Sequence, residues 1–236
     1  MRVNHKIVFF SVSLLLASVA AAQTTTGYGG FYSGRGMGSG RTSGFTIFVE
    51  QARFRSNSSN PFGGSTATGP VESTFKNATG FGASFTGFMT SNAAFEFGAS
   101  YIKPKVGYTT ALGTTPTNSG SVRLIPVTGT LQWHFIPAGG LDPYLGIGAA
   151  WVNMRSNTSF NTTNGLTSVS YGSEWGPVAQ GGVLIGFRSF GINVDAKYIP
   201  LRARGTGTFA TTTGPFTGTR GSMRINPLLI SAGITF

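Results

Sequence analysis

The sequence predicts an all-β protein, an eight-stranded antiparallel transmembrane β-barrel, and three observations favour this fold class. Of the 236 residues only 10% are charged, whereas roughly 25% are charged in an average soluble domain. From Gly44 onward apolar residues alternate with period two, and clusters of Gly, Asn, Ser, Thr and Pro separate the alternating segments. The connections between segments are alternately short and long, which is typical of the periplasmic turns and outer loops of outer-membrane barrels.

The N-terminus is expected to direct the chain out of the cytoplasm. Residues 1–22 combine a basic start, an apolar run and small residues, so we expect a signal peptide cleaved after Ala22. A membrane anchor helix is the alternative, but the run is short for a bilayer span and ends in alanines. Residues 23–43 are rich in Gly, Ser and Thr and are expected to be flexible. Residues 44–236 are then the barrel, integral to the bacterial outer membrane.

Eight segments carry the strand pattern, and glycine inside nearly all of them disfavours helices. These segments are 44–56, 78–90, 93–106, 121–136, 143–156, 174–188, 191–205 and 221–236. The long connections are rich in Thr, Asn, Ser and Gly, and we expect them to be loops outside the cell. They are residues 57–77, 107–120, 157–173 and 206–220. The short turns between the other segments would then face the periplasm.

One face of each segment is apolar and is expected to contact lipid. The final segment sets the phase, because apolar residues occupy every second position up to Phe236. This pattern is typical of the C-terminal signal of outer-membrane proteins. The same phase places aromatic residues near the short-turn ends, where an interfacial girdle is expected. These aromatic residues are Trp133, Phe135, Phe187 and Phe236.

When the lipid-facing alternation is continued to the long-loop ends of the strands, the charged residues in outward positions there are all basic. These residues are Arg53, Arg55, Lys103, Lys105, Arg123, Arg155, Arg202, Arg204, Arg220 and Arg224. We call this set the basic ring. Outer-leaflet lipids, including lipopolysaccharide, carry phosphates that such residues would bind, and arginine suits this geometry. The alternative is that strand ends only need solubilising charge, which does not explain a single sign.

The opposite parity is expected to face the lumen, which an eight-stranded barrel fills with side chains or with one small ligand. A polar plug is predicted near the short turns, formed by Glu50, Glu96, Gln132, His134, Asp195 and Lys197. An apolar upper lumen is predicted further out, formed by Ile102, Leu124, Pro126, Val178, Ile199, Leu201, Ile225 and Leu229. The plug charges need partners in so small a space. A structural role for them is favoured over proton or ion transfer.

The residues do not indicate an enzyme, a cofactor or a metal site. His134 is the only histidine left after signal removal, and it lies at the short-turn end with no obvious serine–carboxylate set. No residue cluster has metal-ligand spacing. An RGG-like role for the Gly-rich segment is disfavoured in an exported protein, so no nucleic-acid partner is expected.

Several motifs, in order, resemble the OmpW family of eight-stranded outer-membrane proteins. They are IPVTGTLQWHF at 125–135, DPYLGIGAAW at 142–151, EWGPVAQGGVLIGF at 174–187, INVDAKYIPL at 192–201 and RINPLLISAGITF at 224–236. The resemblance covers residues 44–236 and implies a narrow hydrophobic lumen implicated in the passage of small hydrophobic molecules. Two features depart from the family: the Gly-rich leader is long, and the first strand, with Glu50 and Gln51, matches weakly.

Two functional hypotheses remain. The first is a narrow channel or binding cup for small hydrophobic molecules, with lateral escape into lipid. The second is a structural or surface-interaction barrel with an inert, filled lumen. The expected partners are outer-membrane lipids including lipopolysaccharide, small hydrophobic molecules, and the periplasmic chaperones and barrel-assembly machinery that handle exported barrels.

Overall fold

The structure is a computed structural model, and it describes residues 43–57, 71–110, 118–137, 140–156, 165–187, 190–211 and 214–236. The predicted signal peptide, residues 1–22, and all but the last residue of the segment 23–43 lie outside the described residues. Within the described part of the chain, no helix is both long and apolar enough to cross a membrane.

The described residues form antiparallel strands throughout. The strands are β1 (Ser43–Asn57), β2 (Val71–Phe75), β3 (Ala78–Phe88), β4 (Ala93–Ile102), β5 (Lys105–Thr110), β6 (Asn118–His134), β7 (Leu141–Ser156), β8 (Gly165–Tyr171), β9 (Glu174–Gly186), β10 (Gly191–Tyr198), β11 (Leu201–Thr211) and β12 (Gly214–Thr235). Eight of them pair in the order β1, β3, β4, β6, β7, β9, β10, β12, and β12 pairs back with β1. The predicted fold class, a closed eight-stranded antiparallel barrel, is confirmed.

The barrel closes where the C-terminal strand meets the first strand. Thr46 and Thr235 are opposite each other in the β1–β12 ladder. Next to them, the backbones of Phe45 and Phe236 exchange hydrogen bonds of 3.0 and 2.8 Å. The Thr46 and Thr235 hydroxyl oxygens lie 2.8 Å apart inside the barrel. Closure leaves no unpaired strand edge at this level, which lipid would not tolerate.

The prediction that the long connections are loops throughout is wrong in part. The ranges 57–77, 107–120, 157–173 and 206–220 contain β2, parts of β5 and β6, β8, and the β11–β12 hairpin. Their Thr and Ser content favoured loops, but Thr, Val and Tyr also suit strands. Pairing of β2 with β5 and of β8 with β11 gives their backbone groups partners outside the eight-strand ladder.

The outer part of the wall divides into two lobes. On one side β2 pairs with β5 and β5 with β6, and on the other β8 pairs with β11 and β11 with β12. The β1–β3 ladder ends at the Ala52–Ala78 pair, and the β7–β9 ladder ends at the Val152–Glu174 pair. Among the described residues no ladder pair joins β1 to β2 or β7 to β8. Two seams therefore run down the outer wall.

Side chains alternate between the two faces of the wall along each barrel strand. Large apolar residues on the outer face are accessible, as with Phe81 (63%) and Ile147 (72%), and a membrane barrel presents this face to lipid. The inner face is tightly filled. A Cβ on Gly82 or Gly233 would approach atoms of Phe48 to 2.6 and 2.7 Å, so the Phe48 ring is accommodated only because both positions are glycine.

Candidate binding lumen

The centre of the lower lumen is a buried ionic triad. Lys197 Nζ lies 2.8 Å from Asp195 Oδ2 and 3.1 Å from Glu96 Oε1. Alternation along β10 aims Asp195 and Lys197 inward together, and Glu96 reaches them from β4 across the lumen. The ammonium group also lies 5.6 Å from the centre of the Phe48 ring. Each of the buried charges in this triad thus has an opposite charge beside it, which burial requires.

Amide and hydroxyl side chains surround this triad and complete its hydrogen bonds. The Gln180 amide donates to both Glu96 and Asp195, and its carbonyl oxygen accepts from the Thr130 hydroxyl at 2.7 Å. The Ser231 hydroxyl donates to Asp195. Gln132 Nε2 donates to Glu96 at 3.1 Å. The bonded side chains come from β4, β6, β9, β10 and β12, so this polar network ties together most of the wall.

His134 extends the network to the short-turn end. Its Nδ1 lies 2.7 Å from Asp142 Oδ2, and its Nε2 lies 3.3 Å from Gln132 Oε1. The sequence indicates no serine–carboxylate set at His134, and the structure places a carboxylate beside it, that of the fully buried Asp142, the second residue of β7. The Phe88 and Tyr144 rings pack on the imidazole at 4.8 and 5.0 Å. Both ring nitrogens are engaged by Asp142 and Gln132, and neither has a hydroxyl partner among the described residues, so the imidazole links the short-turn end to the network.

Glu50 is the exception among the predicted plug residues. It is buried at 4%, yet its Oε1 has no hydrogen-bond partner among the described residues. All six predicted plug residues are buried, and together with Thr130, Asp142, Gln180 and Ser231 we call them the lower polar network. A cavity of about 30 Å³ beneath it, lined by Thr46, His134, Tyr144 and Thr235 among others, has space for about one water molecule.

The eight predicted apolar lumen residues lie together above this network, and all are buried. Most join one apolar cluster, here called the upper-lumen cluster. Further members that the sequence analysis did not name are Ala52, Phe75, Val106, Val122, Ala150, Val152, Met154, Tyr171, Ala203 and Met223. Several of these, such as Val106, Met154 and Met223, have the predicted inward parity and could have been found by continuing it outward.

Two aromatic residues of the cluster could not have been found by parity. Phe75 and Tyr171 lie just before the interruptions at 76–77 and 172–173. Across each interruption the inward positions change from odd numbers before it to even numbers after it, because a stretch outside the ladder does not keep the pleat. The Phe75 ring packs 5.6 Å from Phe54 at the β1–β2 seam and 6.2 Å from Tyr171 across the interior. These rings cover the upper lumen.

The basic ring lies at the outer end of the barrel wall. Nine of its predicted members are exposed, and the side chain of Arg220 lies outside the described residues. Two pairs are direct ladder partners, Arg123 with Arg155 and Arg202 with Arg224. One acidic residue approaches the ring, since Glu174 Oε1 lies 3.9 Å from Arg204 Nε. Within the described ranges, no three His, Asp or Glu side chains gather as a metal-ligand group.

Known proteins resemble this chain over the barrel. An uncharacterized outer-membrane protein of Sinorhizobium fredii is 30% identical over 63% of this chain and 61% of its own length. The outer membrane protein AlkL of Ectopseudomonas oleovorans is 29% identical over 47% of this chain and 45% of its own length. The chain thus spans less than two thirds of either relative.

Solved structures share the fold. The crystal structure of OprG from Pseudomonas aeruginosa superimposes with a TM-score of 0.67 at 15% identity, covering 82% of this chain and 94% of that one. The solid-state NMR structure of AlkL in lipid bilayers gives a TM-score of 0.61 at 18% identity, covering 89% and 96%. A model of the OmpW family matches residues 51–236. The chain belongs to the OmpW family of outer-membrane β-barrels.

Proposed function

We propose that this barrel binds small hydrophobic molecules in its upper lumen and releases them sideways into the membrane. One observation carries the proposal: within a single lumen, a continuous apolar cluster lies directly above a charged, hydrogen-bonded network. If side chains only had to fill the lumen, a separate apolar cluster above the lower polar network would not be required. An apolar layer at the outer end of the lumen, covered by the Phe75 and Tyr171 rings, is suited to a guest that water holds poorly.

The expected affinity is modest. An apolar guest gains about 25 cal/mol for each Å² it removes from water. A small guest losing on the order of 200 Å² would gain roughly 5 kcal/mol, and association costs offset much of this. Binding in the micromolar to millimolar range follows, and such weak binding suits passage better than storage.

The lower polar network argues against straight passage into the periplasm. A guest moving down would have to separate Lys197 from Asp195 and Glu96 and leave buried charges without partners, which costs several kcal/mol. The seams between β1 and β2 and between β7 and β8 lack ladder hydrogen bonds among the described residues. Their side chains can part without breaking a ladder, so we propose that guests leave through the lower end of a seam, at the level of the basic ring, and enter the membrane at its surface.

A binding measurement with a fluorescent hydrophobe tests this proposal. Leu201→Glu and Leu229→Glu place a charge in the upper-lumen cluster, and each should weaken binding at least about tenfold because the charge would lie unpaired beside the guest. Leu201→Met conserves volume and is the matched control that should bind like the parent. Binding unchanged in folded Glu variants contradicts the proposal. If the Glu variants do not fold, Leu229→Ala replaces them, and it should alter affinity by enlarging the cup.

A structural or surface-interaction barrel is the second candidate, and the close packing of the upper lumen favours it. Ile102, Ile199 and Ile225 are at most 1% exposed, so a guest must push packed side chains apart. If this candidate is right, no hydrophobe will compete for the upper lumen, and the Glu variants will differ from the parent only in stability.

We also propose that the basic ring binds the phosphates of outer-leaflet lipids, including lipopolysaccharide. The exposed guanidinium groups share one sign and lie where the apolar outer face ends. Substituting Arg53, Arg55, Arg202 and Arg224 together with Gln should reduce co-purified lipopolysaccharide and leave the barrel folded, because these residues lie beyond the hydrocarbon. Arg204 is omitted because it already faces Glu174. Unchanged co-purification would argue against the ring.

A further inference from the structure

The outer wall of the barrel contains an apolar groove of about 1180 Å³. One row of ladder partners crosses it on five neighbouring strands. From β3 to β9 these partners are Phe85, Phe97, Gly129, Ala149 and Pro177. Bulky residues stand at the ends of the row, and the two central positions carry no side chain or a methyl group. The small residues at the centre of the row therefore create the depression, and the strands remain paired across it.

The floor of the groove is open space at Gly129. A Cβ added there would have no atom within 4 Å. The next row below supplies walls from Leu131 and Ile147, which are 59% and 72% accessible. On a surface that must face lipid, such a depression has to be occupied by acyl chains, because water is absent at this depth.

All three tryptophans of the chain lie on β6, β7 and β9, the strands of the groove floor, although none of them lines the groove itself. Trp151 and Trp175 are ladder partners one row above it, on β7 and β9. Trp133 lies two rows below on the same face of β6, opposite Leu145. Tryptophan presents a large apolar ring, and the concentration of all three on these strands distinguishes this side of the barrel from the rest.

A pair of arginines lies on the same strands as the groove floor, further toward the outside. Arg123 and Arg155 are direct ladder partners, both exposed, and they share the outward parity of Gly129 on β6 and of Ala149 on β7. Gly129 lies six positions after Arg123, which is about 20 Å along a strand. A strand tilt of about 40° makes this roughly 15 Å along the membrane normal. That is half of a hydrocarbon core of ~30 Å, the depth of one leaflet.

The arginine pair also needs an anion. Like charges directly opposite in a ladder repel, and among the described residues no carboxylate lies within ion-pair distance of Arg123 or Arg155. A phosphate can accept bidentate hydrogen bonds from both guanidinium groups. We infer that this face is a binding site for one phosphorylated outer-leaflet lipid, whose phosphate lies on Arg123 and Arg155 and whose acyl chain lies in the groove. The inference rests on the lipid-binding part of the proposed function.

The two ends of the site can be tested separately. Arg123→Gln with Arg155→Gln removes the phosphate contacts, and Arg202→Gln with Arg224→Gln removes an equal charge from a second ladder pair elsewhere in the ring. Gly129→Leu fills the groove without meeting another atom at its Cβ. Ala232→Leu adds comparable bulk to an exposed outward position on β12 and is the matched control.

Bound lipid is counted by native mass spectrometry of the detergent-solubilised full chain with bisphosphorylated lipid A and with dephosphorylated lipid A. We expect bisphosphorylated lipid A to bind at least about tenfold more weakly to the Arg123/Arg155 variant and to Gly129→Leu than to the parent. The Arg202/Arg224 variant should lose only the smaller share of binding that the charge of the rest of the ring contributes, Ala232→Leu should bind like the parent, and dephosphorylated lipid A should bind the parent weakly.

The outcomes separate this site from the ring as a whole. If both arginine variants lose lipid A binding equally and Gly129→Leu binds like the parent, the basic ring binds phosphate but the groove site is overturned. No loss in any arginine variant would overturn both. If Gly129→Leu and Ala232→Leu lose lipid A binding to the same extent, added bulk at any outward position weakens binding, which would also overturn the groove site. Heat-modifiable gel mobility checks that each variant is folded.

Discussion

The lower and upper halves of the lumen are built on the same strands and the same alternation, yet they differ completely in chemistry. On β10 the inward residues are Asp195 and Lys197, and the next inward position after Lys197 is the fully buried Ile199. On β12 the inward residue changes from Ser231 to Leu229 within one pleat. The boundary between the halves is therefore one residue pair deep on these strands, and it divides the lumen into two layers.

The difference teaches how one small barrel can be both rigid and deformable. In the lower polar network each charge depends on particular partners at particular distances, so displacing one side chain leaves others buried and unpaired. In the upper-lumen cluster the attraction is non-directional and proportional to buried area. Apolar side chains there can rearrange around a guest and lose only packing.

Lys197→Met removes the cation of the lower polar network and should lower the free energy of unfolding more than any other change proposed here. It leaves Glu96 and Asp195 buried without their cation, so we expect the free energy of unfolding in lipid vesicles to fall by about 3–5 kcal/mol. Urea titration followed by tryptophan fluorescence measures it. The matched control adds Glu96→Gln and Asp195→Asn, which removes the stranded charges and should restore much of the loss. A fall below about 1 kcal/mol in Lys197→Met would show that the network does not hold the lower barrel.

Ile225→Val tests the upper half and should have a smaller effect. Removing one methylene from a residue that is 1% exposed should lower the free energy of unfolding by about 0.5–1.5 kcal/mol. Hydrophobe binding should persist, because the cluster keeps its apolar character. The same titration and the fluorescent-hydrophobe measurement are used. A loss as large as that of Lys197→Met would contradict the idea that the upper half is the deformable one.

Much of this molecule could be predicted from the sequence because the period of a strand is two everywhere in a ladder. One set phase, read from the last strand, was enough to predict which residues of eight strands face inward. Parity alone therefore predicts that Glu96 and Lys197, distant in sequence, both face the lower lumen, and the structure joins them in one ion pair.

The features that strand parity does not predict depend on which strands pair and on where the ladders are interrupted. Phe75 and Tyr171 were missed because the interruptions before β3 and β9 shift the parity of the inward face. Asp142 was assigned to a short turn, and only the β6–β7 register brings it beside His134. The groove at Gly129 requires the alignment of five strands, which no single segment reveals.

The central claim is that hydrophobic molecules occupy the upper lumen and not the lower one. A photoactivatable alkyl diazirine, irradiated with the full chain in lipid vesicles and mapped by peptide mass spectrometry, tests it directly. The account predicts labelling of upper-lumen residues such as Leu201 and Ile225, suppressed by excess unlabelled hydrophobe and absent in Leu201→Glu. Gln132 and Thr235 should stay unlabelled. Labelling confined to outward residues such as Ile147, or label in the lower lumen that excess hydrophobe suppresses, would contradict it.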